Sequence, residues 1–208
     1  MNKIIEYGTR NVKVAVQAAD GNTWDTPFSV PYAKGIQLPA TVNEQDVYAN
    51  DTRQLRLISD QGYAGNAVFS ARDTELETAL GYMTKNIDSG GIAEKKANGY
   101  IPVCYYYETK IVLNNKKVVT GKNWLLNVNI GKSELSAQGQ TENINLTDVQ
   151  YPLTVFGLAK QTATGTEAYR DADGFEEYIV RIFKVPGDAG YATFGDTVPI
   201  PKHAEITP

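Results

Sequence analysis

The sequence has few of the residues that most often carry chemistry. Among 208 residues there are one cysteine, one histidine and two methionines. A lone Cys104 forbids an intrachain disulfide. It stands in the strand-like run Ile101-Pro102-Val103-Cys104-Tyr105, where a small buried hydrophobe is expected rather than a reactive thiol. One Cys and one His cannot build a standard zinc site. A Ser-His-Asp or Cys-His nucleophile would need His203, in the Pro-rich last stretch, as its base. No apolar run approaches the roughly 20 residues of a membrane-spanning helix. Residues 1–11 carry scattered charged and polar side chains and no apolar core, so no Sec-type signal is expected there.

Basic density is also missing. The formal charge is −4, and Lys95-Lys96 and Lys116-Lys117 are isolated pairs that read as solvated turns. A nucleic-acid binder needs a clustered basic face to displace counterions, so that class is disfavoured. The run Gly62-Tyr63-Ala64-Gly65 has neither a Lys nor a following helix and is no phosphate loop.

Carboxylates are the remaining enzymatic option. Asp73, Glu75 and Glu77 cluster where a helix is expected to start, and favourable charge at the positive helix end accounts for them. Asp171 and Asp173, followed by Gly174, Glu176 and Glu177, partly match a calcium loop but lack its ligand spacing and closing Glu. A solvated turn is the expectation. No catalytic, cofactor-binding or metal-binding residue is therefore assigned, no cofactor is expected, and the chain is read as a non-enzyme.

Strand signals are abundant. Tyr occurs 13 times, a residue suited to strands and interfaces because a large flat body carries one polar tip. Val12, Val14 and Val16 alternate with polar or small residues. Leu55 and Leu57 share a face, as do Leu126, Val128 and Ile130, and then Tyr178, Val180 and Ile182. Ile101 to Val119 reads as a hairpin with Asn114-Asn115 at its turn. One helix is expected at 74–82. Thr74 and Glu77 have capping-box spacing, Leu76, Ala79 and Leu80 form the apolar stripe, and Gly81 is a stop.

The pattern gives about ten strands with no βαβ rhythm and no internal repeat. The expected fold is mainly β: two packed antiparallel sheets, sandwich- or barrel-like, with the one short helix. A single domain spans 1–208. It has an N-terminal arm at about 1–10, long polar loops at about 84–100, 131–145 and 161–174, and a Pro-rich C-terminal arm at about 186–208. Open sheets have edges, and pairing an edge with a copy of the same chain is a route to assembly.

Read in order, the first half carries a collinear set of short motifs. They are Tyr7-Gly8, Asn11-Val12 with Ala15, Asp20-Gly21, Thr26-Pro27, Pro31 and Ala33. Tyr48-Ala49-Asn50-Asp51, Gly62-Tyr63-Ala64-Gly65 and Leu80-Gly81-Tyr82 follow. This order and spacing, over about residues 7–83, resembles the major tail tube proteins of long-tailed, non-contractile bacteriophages. Asn50 stands where that family has Asp. The resemblance implies a structural virion protein, made in the host cytoplasm and housed in the tail. It also implies hexameric rings that pool strands into one inner barrel and stack into a tube. The implied partners are the tape-measure protein and the tail-tip and terminator proteins, with DNA passing through the lumen without specific binding and no membrane partner. With about 24 pooled strands, about 4.8 Å apart and tilted about 40°, the barrel would be on the order of 50 Å across, wide enough for a duplex. A mildly acidic wall would repel phosphate. The alternative is a β-sandwich carbohydrate-binding or adhesin module with Trp24, Trp124 or the tyrosines as its platform, although the apolar run around Trp124 reads as core.

Overall fold

The computed structural model describes residues 5–49, 52–85, 90–96, 99–113, 116–134 and 148–203. These form thirteen strands and one helix, so the chain is mainly β as the alternation predicts. Nine strands make one antiparallel sheet. Its centre is β1 (Ile5–Val16), β8 (Val103–Val112), β9 (Val118–Ile130), β10 (Val149–Val155) and β5 (Thr52–Phe69), side by side in that order. Beyond β1 lies β2 (Phe28–Ser29), and beyond β5 lies β3 (Ala33–Gln37). Residues 30–32 alone join β2 at one end of this order to β3 at the other, so the sheet curls back toward itself. The expected sandwich or barrel is thus one curled sheet, with the right-handed twist of its strands bringing the ends together. β13 (Arg181–Lys184) pairs with the first half of β9, and β4 (Ala40–Ala49) pairs with β5.

Both faces of the central strands are covered. In β8, every residue from Val103 to Thr109 is buried. Odd positions (Val103, Tyr105, Tyr107) face the inside of the curl and pack with Leu125, Val128, Ile130, Tyr151 and Leu153. Phe69 meets Tyr151 there edge-on, with centroids 5.5 Å apart at 86°. Even positions (Cys104, Tyr106) face outward and pack with Ala15, Trp124, Leu126 and Phe194. Fully burying each such side chain contributes about 1.5–3 kcal/mol.

The outer cover is a strap of successive turns, residues 186–203, running across the sheet. Trp124 Nε1 donates to the Phe194 carbonyl at 2.7 Å, and the Tyr191 hydroxyl donates to the Thr120 carbonyl at 2.8 Å. Strap carbonyls receive three lysines: Lys13 at Gly195 (2.9 Å), Lys122 at Tyr191 and Ala192 (2.9 Å each), and Lys184 at Ala189 (2.5 Å). Of the stretch expected as a C-terminal arm, residues 186–203 therefore lie on their own sheet, and 204–208 fall outside the described residues. Of the expected N-terminal arm, Ile5 to Arg10 run in β1, paired with β8.

The helix α1 (Thr74–Ala79) closes one end of the inner core with Leu76 and Leu80 buried, and Gly81 follows at φ 74°. Its cap corrects the expected capping box. Asp73, not Thr74, is the N-cap and accepts from the Leu76 amide at 2.8 Å. Glu77 does not reach back, because it is engaged in the core. The stretch 84–100 also departs from the long loop expected of it. β6 (Met83–Lys85) and β7 (Ile92–Glu94) pair as a short hairpin, while 86–89 and 97–98 fall outside the described residues. Residues 114–115 and 135–147, which hold the expected Asn-Asn turn and most of the 131–145 loop, fall outside too. The loop 161–174 is braced by β11 (Leu158–Ala159) pairing with β12 (Tyr178–Ile179) and by bridges Gln161–Ala168 and Gln161–Lys202.

Candidate functional site: a projecting hairpin and a polar cleft

The hairpin of β4 and β5 departs from the rest of the sheet. From Tyr63 to Phe69, β5 pairs with β10 on one side and with β3 and Ala40 on the other. From Asp60 back to Thr52 its partner is β4 alone, over the register Val42–Asp60 to Ala49–Thr52. Among the described residues no other strand pairs with this part, so both of its long edges are open. At about 3.3 Å per residue, Thr52 to Gly62 reaches about 30 Å from the sheet. Thr41 to Gln45 are exposed.

The root of the hairpin is built for the bend. A register shift separates Ala40 and Val42. Opposite it, Gly62 has φ 83°, a conformation that suits glycine, and a Cβ there would lie 2.2 Å from the Val155 carbonyl oxygen. Gly65 is as tight, with an added Cβ 2.0 Å from the Gln37 oxygen. The motif Gly62-Tyr63-Ala64-Gly65 therefore marks the point where a central strand leaves the core.

The second feature is a cleft of ≈ 460 Å³ between β1, the β2–β3 link, and the strap. β1 carries two register shifts along its wall, between Tyr7 and Arg10 and between Arg10 and Lys13. Asn11 has φ 49° and Tyr32, on the rim, has φ 65°. On the floor, Glu108 accepts from the Tyr106 hydroxyl (2.9 Å) and from Asn11 Nδ2 (2.9 Å), with Arg10 Nε at 3.3 Å. Burial, followed by the nearby Glu108, pushes the Tyr106 hydroxyl above its ordinary range. Arg10, Lys13 and Lys122 face Glu108 and Asp196, leaving one positive charge in excess.

A third cluster lies beneath the helix. Glu77 is 0% exposed, and its Oε1 accepts from Arg72 Nε (2.6 Å), the Ser133 hydroxyl (3.0 Å) and the Tyr151 hydroxyl (2.9 Å). Arg72 also meets Glu94, which Lys132 reaches as well, at 2.7 and 2.9 Å. The hydrogen bond to Glu77 raises the Arg72 guanidinium well above its usual range, and Lys132 with Arg72 lowers the Glu94 carboxyl. The cluster ties α1, β7, β10 and the segment after β9 together, which is a structural role for the carboxylate.

The other sequence candidates lie apart from these features. Cys104 is fully buried, and burial pushes its thiol up to about 12. His203 stacks flat on Tyr169, centroids 3.8 Å apart, and its amide donates to the Gln161 carbonyl. Asp171 is a turn former: its Oδ1 accepts from the amides of Asp173 and Phe175. Glu75 is exposed, Glu177 pairs with Lys160 at 2.7 Å, and Glu176 pairs with Arg170. Trp124 is core. Trp24 is half-buried beside two shallow grooves of ≈ 230 and ≈ 200 Å³. Among the described residues no group of three or more His, Cys, Asp or Glu side chains is placed to hold a metal ion. Sequence reasoning missed the cleft, because its lining comes from five separated segments. It missed the hairpin's reach as well; the only signal was the lack of a clean apolar face from Thr41 to Tyr48. No family model matches the chain, and no curated protein matches it.

Proposed function

We propose that this chain is a structural subunit that assembles with copies of itself into stacked hexameric rings, the tail tube of a long-tailed bacteriophage and the conduit for its DNA. The observation that carries this reading is the β4–β5 hairpin. A two-stranded ribbon standing alone in water is marginally stable, and exposed edges invite pairing. A chain that extends one about 30 Å beyond its core gains from it only if other strands complete it. Pooled hairpins from neighbouring copies would satisfy the open edges as a closed barrel does. The collinear motifs from Tyr7 to Tyr82 give the same direction, and two of them fall in this hairpin: Tyr48 and Ala49 end its first strand, and Gly62 to Gly65 stand at its root.

In this reading the subunit needs no cofactor and performs no catalysis. DNA slides past a wall of net acidic subunits without specific contacts. The tape-measure, tail-tip and terminator proteins are its partners in the virion. Negative-stain electron microscopy of the purified chain, dilute and then concentrated, tests it. Hollow rings or tubes of uniform width are expected.

The alternative, a carbohydrate-binding or adhesin module, keeps one foothold in half-buried Trp24 and its shallow grooves. Its other proposed platform residue, Trp124, is 0% exposed. Glycan-array binding by a persistent monomer, lost in Trp24→Ala, would favour that module instead.

A further inference from the structure

The geometry points to a head-to-tail contact between two copies of this chain, in which the turn 170–176 of one enters the polar cleft beside β1 of the next. This rests on the self-assembly reading and specifies one of the contacts it requires.

The turn is closed by its own hydrogen bonds and leaves Asp173 and Phe175 exposed. Its backbone is closed by Asp171 N to the Phe175 carbonyl (2.9 Å) and Gly174 N to the Asp171 carbonyl (3.1 Å). Asp171 Oδ1 accepts from two amides inside it, and Arg170 Nη1 donates to the Gly174 carbonyl at 2.9 Å. Phe175, whose carbonyl closes the turn onto the Asp171 amide, is 71% exposed. Asp173 is exposed, and among the described residues no cation pairs with its carboxylate. A turn closed in this way that offers an aromatic ring and a carboxylate loses little entropy on docking, and a buried aromatic anchor is the usual centre of an interface.

The cleft offers the complement. It is a cation-rich recess in a chain of formal charge −4. Lys122 lies in it with carbonyl partners and no carboxylate among the described residues, so it is placed to receive one. Tyr32 stands on the rim, 67% exposed and at φ 65°. A bulky side chain in that conformation is strained where glycine would relax. An aromatic ring kept there against strain suits a partner ring better than it suits the isolated fold. Asp173 would meet Lys122 and Arg10 while Phe175 packs on Tyr32. Because turn and cleft are different surfaces of one chain, the contact is heterologous, and repeated contacts of that kind build a ring when the rotation between copies closes and a filament when it does not.

The test uses the full chain. Phe175→Cys and Tyr32→Cys are made as separate variants, mixed in equal amounts and oxidised; buried Cys104 stays out of the reaction. A mixed disulfide dimer, formed well above the level of either variant alone, is expected. In sedimentation velocity, Asp173→Lys and Phe175→Ser should weaken self-association at least tenfold. Tyr32→Gly should do the same while leaving the melting temperature of the monomer equal or higher, which loss of a merely structural residue would not do. Rings or tubes that form with no such crosslink and with unchanged association in all three variants would overturn this contact and leave the ring reading standing. The crosslink without rings or tubes would keep the contact and sink the ring reading. A chain that stays monomeric to its solubility limit, with no crosslink, would overturn both.

Discussion

The centre of the sheet and the β4–β5 hairpin are made of the same secondary structure and are held in opposite ways. β8 and β9 pair on both edges and are covered on both faces, inside by α1 and the curl, outside by the strap. The outer half of the hairpin has one pairing and two open edges. Burial stabilises the first, while in the proposed assembly neighbouring copies would complete the second. Stability and assembly should therefore be separable by substitution.

The largest effect should come from breaking the seal. Trp124→Ala removes a fully buried indole and its hydrogen bond to the strap, and should cost about 3–5 kcal/mol in urea unfolding. Alkali attacks the same region more gradually. Burial pushes the Cys104 thiol up to about 12 and lifts the hydroxyls of Tyr105, Tyr106 and Tyr151 above their ordinary range. The unfolded chain releases these protons at lower pH than the folded one. Stability should thus be complete below about pH 9 and fall by a few kcal/mol as pH rises toward 12. Thermal melts across that range, with tyrosinate absorbance appearing only on unfolding, check the sign.

Gly62→Val sharpens the boundary between the two regions. It puts a branched side chain at φ 83° and against the Val155 carbonyl, so a loss of about 2–3 kcal/mol is expected, with β10 and β5 separating first in hydrogen exchange. The smallest effect belongs to the hairpin itself. Val42 is 49% exposed, and Val42→Lys should change monomer stability by less than about 0.5 kcal/mol while weakening assembly, which differential scanning calorimetry and light scattering would report together.

Much of the centre was legible in the sequence. Alternation at Val12 to Val16, Val103 to Tyr107 and Leu126 to Ile130 gives strands, and the apolar stripe of α1 gives the helix. Period alone could not show that β8 is buried on both faces, because the outer cover comes from residues 186–203, a Pro-rich stretch with no repeating pattern. Glu77 misled for a related reason. Local spacing makes it a capping residue, but Arg72, Ser133 and Tyr151 converge on it from three other segments. The hairpin reads as a weak extended segment over Thr41 to Tyr48 and a strand over Arg53 to Ser59 with Leu55 and Leu57 on one face. Its first strand has no clean apolar face from Thr41 to Tyr48, and among the described residues no third strand pairs with the projecting part, so periodicity alone does not mark it. The cleft was invisible because its charges lie up to 186 positions apart, from Arg10 to Asp196.

Hydrogen–deuterium exchange of the chain, dilute and after concentration to the point of assembly, tests the central claim most directly. Self-assembly through the hairpin predicts fast exchange of the amides of 42–60 in the dilute chain and strong protection once rings or tubes form, with β8 and β9 protected in both. Exchange at 42–60 that is equally fast in both states would contradict it.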